Sequence, residues 1–274
     1  MLGRMSARLS LTRHGPDDPM PLVLLHAFPL DRRMWDDVVA DLDDLPVITL
    51  DAAGFGDSPS PRELAEALNR PVKPSLSSYG DAVALTLRDV GVDRAVVAGL
   101  SMGGYAALAL AERHPALLAG IGLLDTRAGA DSDAVRAHRT HVAEQAAGPM
   151  GARSVAPMID QVLGASSHAE RPDVVERVRG WLSEAPPSGI AWAQRAMATR
   201  PDRLAALERL DVPALVLRGA EDAQSSQEDA EAMAAALRDV ELVVVPRAGH
   251  LSAVEQPHEV SAALRRLHER CRRP

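Results

Sequence analysis

The chain of 274 residues has one cysteine, Cys271, and one lysine, Lys73. A lone cysteine excludes an internal disulfide and any zinc site built from several thiolates, and the cytoplasm is then the simplest compartment to expect. A lone lysine, set between Pro71 and Pro74, disfavours a Schiff-base lysine or a phosphate-binding loop. No run reaches the roughly 18 apolar residues needed to span a bilayer. Met1–Arg13 alternates polar and apolar residues with interspersed arginine, in place of an apolar signal core of about 7–15 residues. No membrane partner is therefore expected. Positive charge is also in deficit, with 30 Lys and Arg against 38 Asp and Glu and a formal net charge of -8. That balance counts against a nucleic-acid partner, which needs a basic surface.

What the chain does have is apolar material, 46% of its residues, enough for a large core. Short apolar runs alternate with longer helical patterns, which favours βα units and a mostly parallel sheet. The runs are Leu22–Leu25, Val47–Leu50, Ala95–Ala98, Leu118–Leu124, Ala214–Leu217 and Leu242–Val245. Ser6–Thr12 is expected to open an antiparallel edge hairpin into Leu22–Leu25. Helices are predicted over Arg33–Leu42, Leu76–Val90 with Ser77 or Ser78 as its cap, and His258–Arg270.

Gly99-Leu100-Ser101-Met102-Gly103 stands between the apolar run Ala95–Ala98 and the helical pattern Tyr105–Ala111. A strand-to-helix turn this sharp crowds the serine's neighbours, so small residues must sit two positions to each side. Gly99 and Gly103 do so. The turn lifts the Ser101 hydroxyl clear of the sheet and starts a helix at Met102, whose N–H can face a developing oxyanion. Two further polar residues follow predicted strands, Asp222 in Gly219-Ala220-Glu221-Asp222 and His250 in Ala248-Gly249-His250. Ser101, Asp222 and His250 thus run in the nucleophile, acid, histidine order of one catalytic architecture.

With His26-Ala27-Phe28-Pro29 and the turn Asp51-Ala52-Ala53-Gly54-Phe55-Gly56-Asp57-Ser58, these segments resemble the α/β-hydrolase superfamily over nearly the whole chain. Phe28-Pro29-Leu30-Asp31 and Met34-Trp35 are similar to bacterial serine esterases and their cofactor-free perhydrolase or haloperoxidase relatives. One departure is Ala27, where the family usually has glycine. The resemblance implies an α/β-hydrolase fold: a doubly wound, mostly parallel sheet (residues 1–125 and 211–274) with a helical lid (126–210) inserted after the sixth strand of the core. It implies no metal and no cofactor.

The expected chemistry is cleavage of small apolar carboxylic esters through an acyl-enzyme. Ser101 is the nucleophile, His250 takes and returns its proton, and Asp222 orients the imidazole. The N–H groups of Phe28 and Met102 form the oxyanion hole. Asp125, also at a strand tip, is the rival acid, or else caps the first lid segment. Alternatives are an enol-lactonase, whose carboxylate-bearing substrate would need a cation from Arg127, Arg136 or Arg195; a perhydrolase; and a non-catalytic binding protein that retains the shell. For the pocket, His26, Trp181, Trp192 and Arg127 are the candidates, with Met150, Met158, Val162 and Met197 as further inward lid residues. His26 is also read, and in preference, as holding the oxyanion loop in place by hydrogen bonding. His138 and His141, at helical spacing, are read as a solvated lid face rather than a metal pair. The small-molecule partner is an ester or lactone, and spacing leaves the oligomeric state open.

Overall fold

The computed structural model describes residues 8–67 and 73–273. Seven strands form one sheet: β1 (Leu11–His14), β2 (Leu22–Leu25), β3 (Val47–Leu50), β4 (Ala95–Leu100), β5 (Leu118–Leu124), β6 (Ala214–Gly219) and β7 (Val240–Val245). Their order is β1-β3-β2-β4-β5-β6-β7. Every pairing is parallel except β1 with β3. From β2 to β6 every residue is buried, the mark of strands covered on both faces and the reason they read as unbroken apolar runs. β7, at one edge, alternates in exposure and leaves Leu242 and Val244 to solvent.

Helix Met102–Arg113 crosses β2, β4 and β5 and packs on Leu76–Asp89, while the terminal helix Pro257–Cys271 lies along β4 to β7. The cap of Leu76–Asp89 is Ser75, whose hydroxyl accepts the Ser78 N–H at 3.0 Å, not Ser77 or Ser78. Arg33–Leu42 resolves into a 3-10 turn, Arg32–Trp35, and a short helix, Asp36–Ala40. The expected hairpin is also corrected. β1 is an edge strand, but it pairs with β3, because β3 and β4 already occupy both sides of β2; the Ser6–Ala7 start of that prediction lies outside the described residues.

Between β5 and β6 the chain contributes helices only: chiefly Asp133–Ala147, Pro172–Glu184 and Pro187–Ala198, with a 3-10 stretch at Gly151–Met158. Val174, Val178 and Leu182 make the buried stripe of Pro172–Glu184 at the four-residue spacing of a helix with one apolar face. Among the described residues this segment follows the fifth strand in chain order rather than the sixth, because one antiparallel strand precedes the parallel set. No described helix is long and apolar enough to cross a membrane.

Candidate active site

Ser101 links β4 to helix Met102–Arg113 with φ 53° and ψ -110°. Holding a non-glycine residue there costs on the order of 1–3 kcal/mol, and the surroundings are shaped to impose it. A Cβ on Gly99 would lie 2.1 Å from the Gly103 carbonyl carbon, and one on Gly103 would lie 2.1 Å from the Leu25 carbonyl oxygen. Only hydrogen fits at either position. The Ser101 N–H donates to the Leu124 carbonyl at 2.9 Å, and the Thr126 hydroxyl donates to the Ser101 carbonyl at 2.9 Å.

His250 reaches this serine from the loop after β7. Its Nε2 lies 2.8 Å from Ser101 Oγ, and its Nδ1 lies 3.0 Å from both carboxylate oxygens of Asp222, on the loop after β6. Burial pushes the Asp222 carboxyl up, but the neighbouring imidazole, the Ser225 hydroxyl and the Gln224 N–H outweigh it and hold the group below its ordinary value. An ionised carboxylate only accepts, so Nδ1 carries the imidazole proton and Nε2 is left to accept from the serine hydroxyl. Burial pulls the His250 pKa down, yet the charge and hydrogen bond of Asp222 dominate and raise it.

Two further buried carboxyl groups fasten these loops. Asp125, at the tip of β5, accepts from the Gly219 N–H at 2.7 Å and from the Ser252 hydroxyl at 2.5 Å, tying the acid loop to the histidine loop. Its hydrogen bonds go to Gly219 and Ser252 and none goes to the His250 imidazole, which pairs with Asp222. Burial first, then the nearby Asp222 charge, pushes the Asp125 carboxyl up to about 8. Glu255 accepts from the Gly249 N–H at 2.8 Å, the Gly164 N–H at 2.8 Å and the Ser167 hydroxyl at 2.6 Å, joining the histidine loop to the helical segment between β5 and β6. Sequence reading missed Glu255; the signal it offered was slight, a carboxylate closing the short stretch Leu251-Ser252-Ala253-Val254.

Among the described residues, neither the Phe28 nor the Met102 N–H donates to a protein acceptor. Met102 is the first residue of its helix, where N–H groups lack intrahelical partners. His26 lies beneath the Phe28 loop, fully buried, with Nδ1 2.9 Å from the Ala27 carbonyl and Nε2 accepting the Ala52 N–H at 2.8 Å. Burial lowers its pKa, which keeps it neutral. It braces the loop and does not line the pocket.

A cavity of about 620 Å³ opens over Ser101 and His250, walled by Phe28, Tyr105, Arg127, Arg139, Gln194, Met158 and Met197 among others. Two of the expected lining residues lie elsewhere. Trp181 borders an outer groove with Arg33 and Glu184, under the Arg177 guanidinium, and Trp192 faces a separate depression beside Arg195. Met150 is exposed, and Val162 is buried away from the cavity. Each is apolar and helical, which signals burial but not the direction of burial. His138 and His141 are exposed and also border the cavity. With Gln145, Gln161 and Gln224, they make the wall more polar than the tryptophans and methionines suggested.

The alpha/beta hydrolase family model matches residues 22–263. The chain is 31% identical over 266 residues to a 2-succinyl-6-hydroxy-2,4-cyclohexadiene-1-carboxylate synthase of Enterobacter sp., covering 93% of this chain and 94% of that one. It is 25% identical to 3-oxoadipate enol-lactonase 1 of Acinetobacter baylyi, covering 93% and 91%. Among solved structures, a thermophilic esterase from Thermogutta terrifontis, determined with malate bound, superposes with a TM-score of 0.88 at 36% identity, covering 97% of this chain and 94% of that one. By sequence and fold alike, this chain belongs to the alpha/beta hydrolase family.

Proposed function

We propose that the protein is a serine hydrolase that opens carboxylic ester or lactone bonds through an acyl-enzyme on Ser101. The observation that carries this reading is the unbroken relay of 2.8 Å from Ser101 Oγ to His250 Nε2 and 3.0 Å from His250 Nδ1 to Asp222. In the forward step Ser101 Oγ attacks the carbonyl carbon as its proton passes to Nε2. The imidazolium so formed is stabilised by Asp222. Negative charge moves to the carbonyl oxygen, where the unpaired N–H groups of Phe28 and Met102 receive it, each such donor contributing about 2.7–4 kcal/mol in comparable sites. His250 then returns the proton to the leaving oxygen, and water repeats the sequence on the acyl-serine.

The esterase and enol-lactonase relatives support this chemistry without choosing between its substrates. Arginines on the cavity wall favour a lactone or ester carrying negative charge over a wholly apolar one. A cytoplasmic setting belongs to the same reading, supported by a single half-buried cysteine. The test is reaction with a fluorophosphonate followed by peptide mass mapping. Modification is expected at Ser101, abolished in Ser101→Ala together with ester turnover; turnover that survives in that variant would falsify the assignment.

A further inference from the structure

The wall of the cavity beside Ser101 is built on an unbalanced cluster of charge. Asp131, almost wholly buried, accepts from Arg127 at 3.1 Å, from Arg139 at 2.6 Å and from Arg200 at 2.8 Å. One carboxylate thus faces three guanidinium groups, a surplus of two positive charges within the cluster, with Asp229 the further acidic charge felt at Arg127. Arg200 is spent, almost fully buried and stacked 4.1 Å over the ring of Tyr105. Arg127 and Arg139 face the cavity, where no aspartate or glutamate appears among the lining residues. The buried Nε of Arg127, like that of Arg200, has no hydrogen-bond partner among the described residues.

The cluster is also held close to the nucleophile. Arg127 directly follows Thr126, whose hydroxyl holds the Ser101 carbonyl, and Tyr105 lies one helical turn after Ser101, its N–H bonded to that same carbonyl at 3.1 Å. The Arg127 charge opposes protonation of His250, an independent sign of proximity.

Uncompensated guanidinium groups in a partly enclosed site are costly without an anion and bind a carboxylate well, because the planar fork matches its two oxygens. We propose that Arg127 and Arg139 form an anion subsite that takes a free carboxylate on the acyl portion of the substrate while the reacting carbonyl sits at Ser101. The protein's substrates are then esters or lactones of dicarboxylic acids. The catalytic half of this proposal rests on the serine-hydrolase reading; the subsite does not.

The experiment compares kcat/KM for phenyl hydrogen glutarate with that for the neutral phenyl ester in which an isopropyl group replaces the carboxylate. The wild-type enzyme is expected to prefer the charged ester by roughly tenfold or more, a preference that collapses by about the same factor in Arg127→Gln and is partly restored in Arg127→Lys. Because the readout is a ratio of two substrates, partial misfolding lowers both rates and leaves it unchanged. A wild-type ratio at or below unity, or one that neither Arg127→Gln nor Arg139→Gln alters, overturns the subsite. Calorimetry with glutarate on the Ser101→Ala protein separates the two readings. Saturable binding that Arg127→Gln removes upholds the subsite even where neither ester is turned over. Absence of binding, or equal binding of inorganic phosphate, overturns the carboxylate assignment.

Discussion

The C-terminal end of the sheet and the helical segment above it solve different problems. At the sheet end, Ser101, Asp222 and His250 arrive from three strands, and their loops are fixed by backbone contacts that leave little choice: the Gly99–Gly103 crossing, and the Asp125 and Glu255 carboxyl groups bonded to Gly219, Ser252 and Gly249. The helical segment between β5 and β6 meets the cavity through side chains, two of which, Arg127 and Arg139, are paired with Asp131. A turn in a sparsely populated backbone region demands particular residues at particular spacings. A helix face demands only that some residues be apolar and others polar. On the proposed reading, reaction type is carried by the sheet end and substrate choice by the helical one.

The widest separation between these regions is expected in turnover. Ser101→Ala or His250→Ala should lower kcat for any accepted ester by on the order of 10⁴-fold or more, since groups acting as a unit fail together. Steady-state assays with active-site titration check this; a loss below tenfold would place the chemistry elsewhere.

Next in size is the contrast between two aspartates at the same sheet end. Asp222→Asn should cost about 10³–10⁴-fold in kcat, because an amide no longer holds the Nδ1 proton and the imidazole tautomer is lost. Asp125→Asn should cost only about tenfold, acting through the Gly219 and Ser252 contacts on loop position. Equal losses in the two variants would make Asp125 a partner in the relay.

A smaller effect lies in the pH profile. The form of His250 that accepts the serine proton is the neutral one, and Asp222 holds the imidazole pKa above its ordinary value. Activity should therefore rise with pH through that raised pKa and be lost below it. In Asp222→Asn the residual activity should keep its plateau to lower pH, because the charge that favoured the imidazolium has gone. An unchanged midpoint in kcat/KM against pH would show that another group sets this limb.

The smallest effect tests the lid. Trp181→Ala, altering a ring in the outer groove and not in the cavity, should change kcat/KM by less than about twofold, within the range of substitutions away from specific contacts. A larger change would mean that the groove communicates with Ser101.

The parallel strands and the helices flanking them were legible because burial on both faces writes an unbroken apolar run, as in Leu118–Leu124. The turn at Ser101 was legible because steric exclusion leaves its mark as two glycines at fixed offsets. The place of β1 was not legible, since a four-residue edge strand carries no sign of its partner. Trp181 and Trp192 were assigned to the wrong surfaces for a similar reason. Their apolarity announces packing, and only the crossing of one lid helix over another decides what they pack against.

Local sequence determined the elements, the strained serine turn and the order in which a serine, an acid and a histidine follow their strands, because each depends on neighbours a few residues away. Tertiary structure alone decided that Asp222 and not Asp125 meets the imidazole, that His26 braces a loop, and that Arg127 and Arg139 share one carboxylate at the cavity wall. Those outcomes depend on distances between segments far apart in the chain, and such distances are set by how the whole core packs.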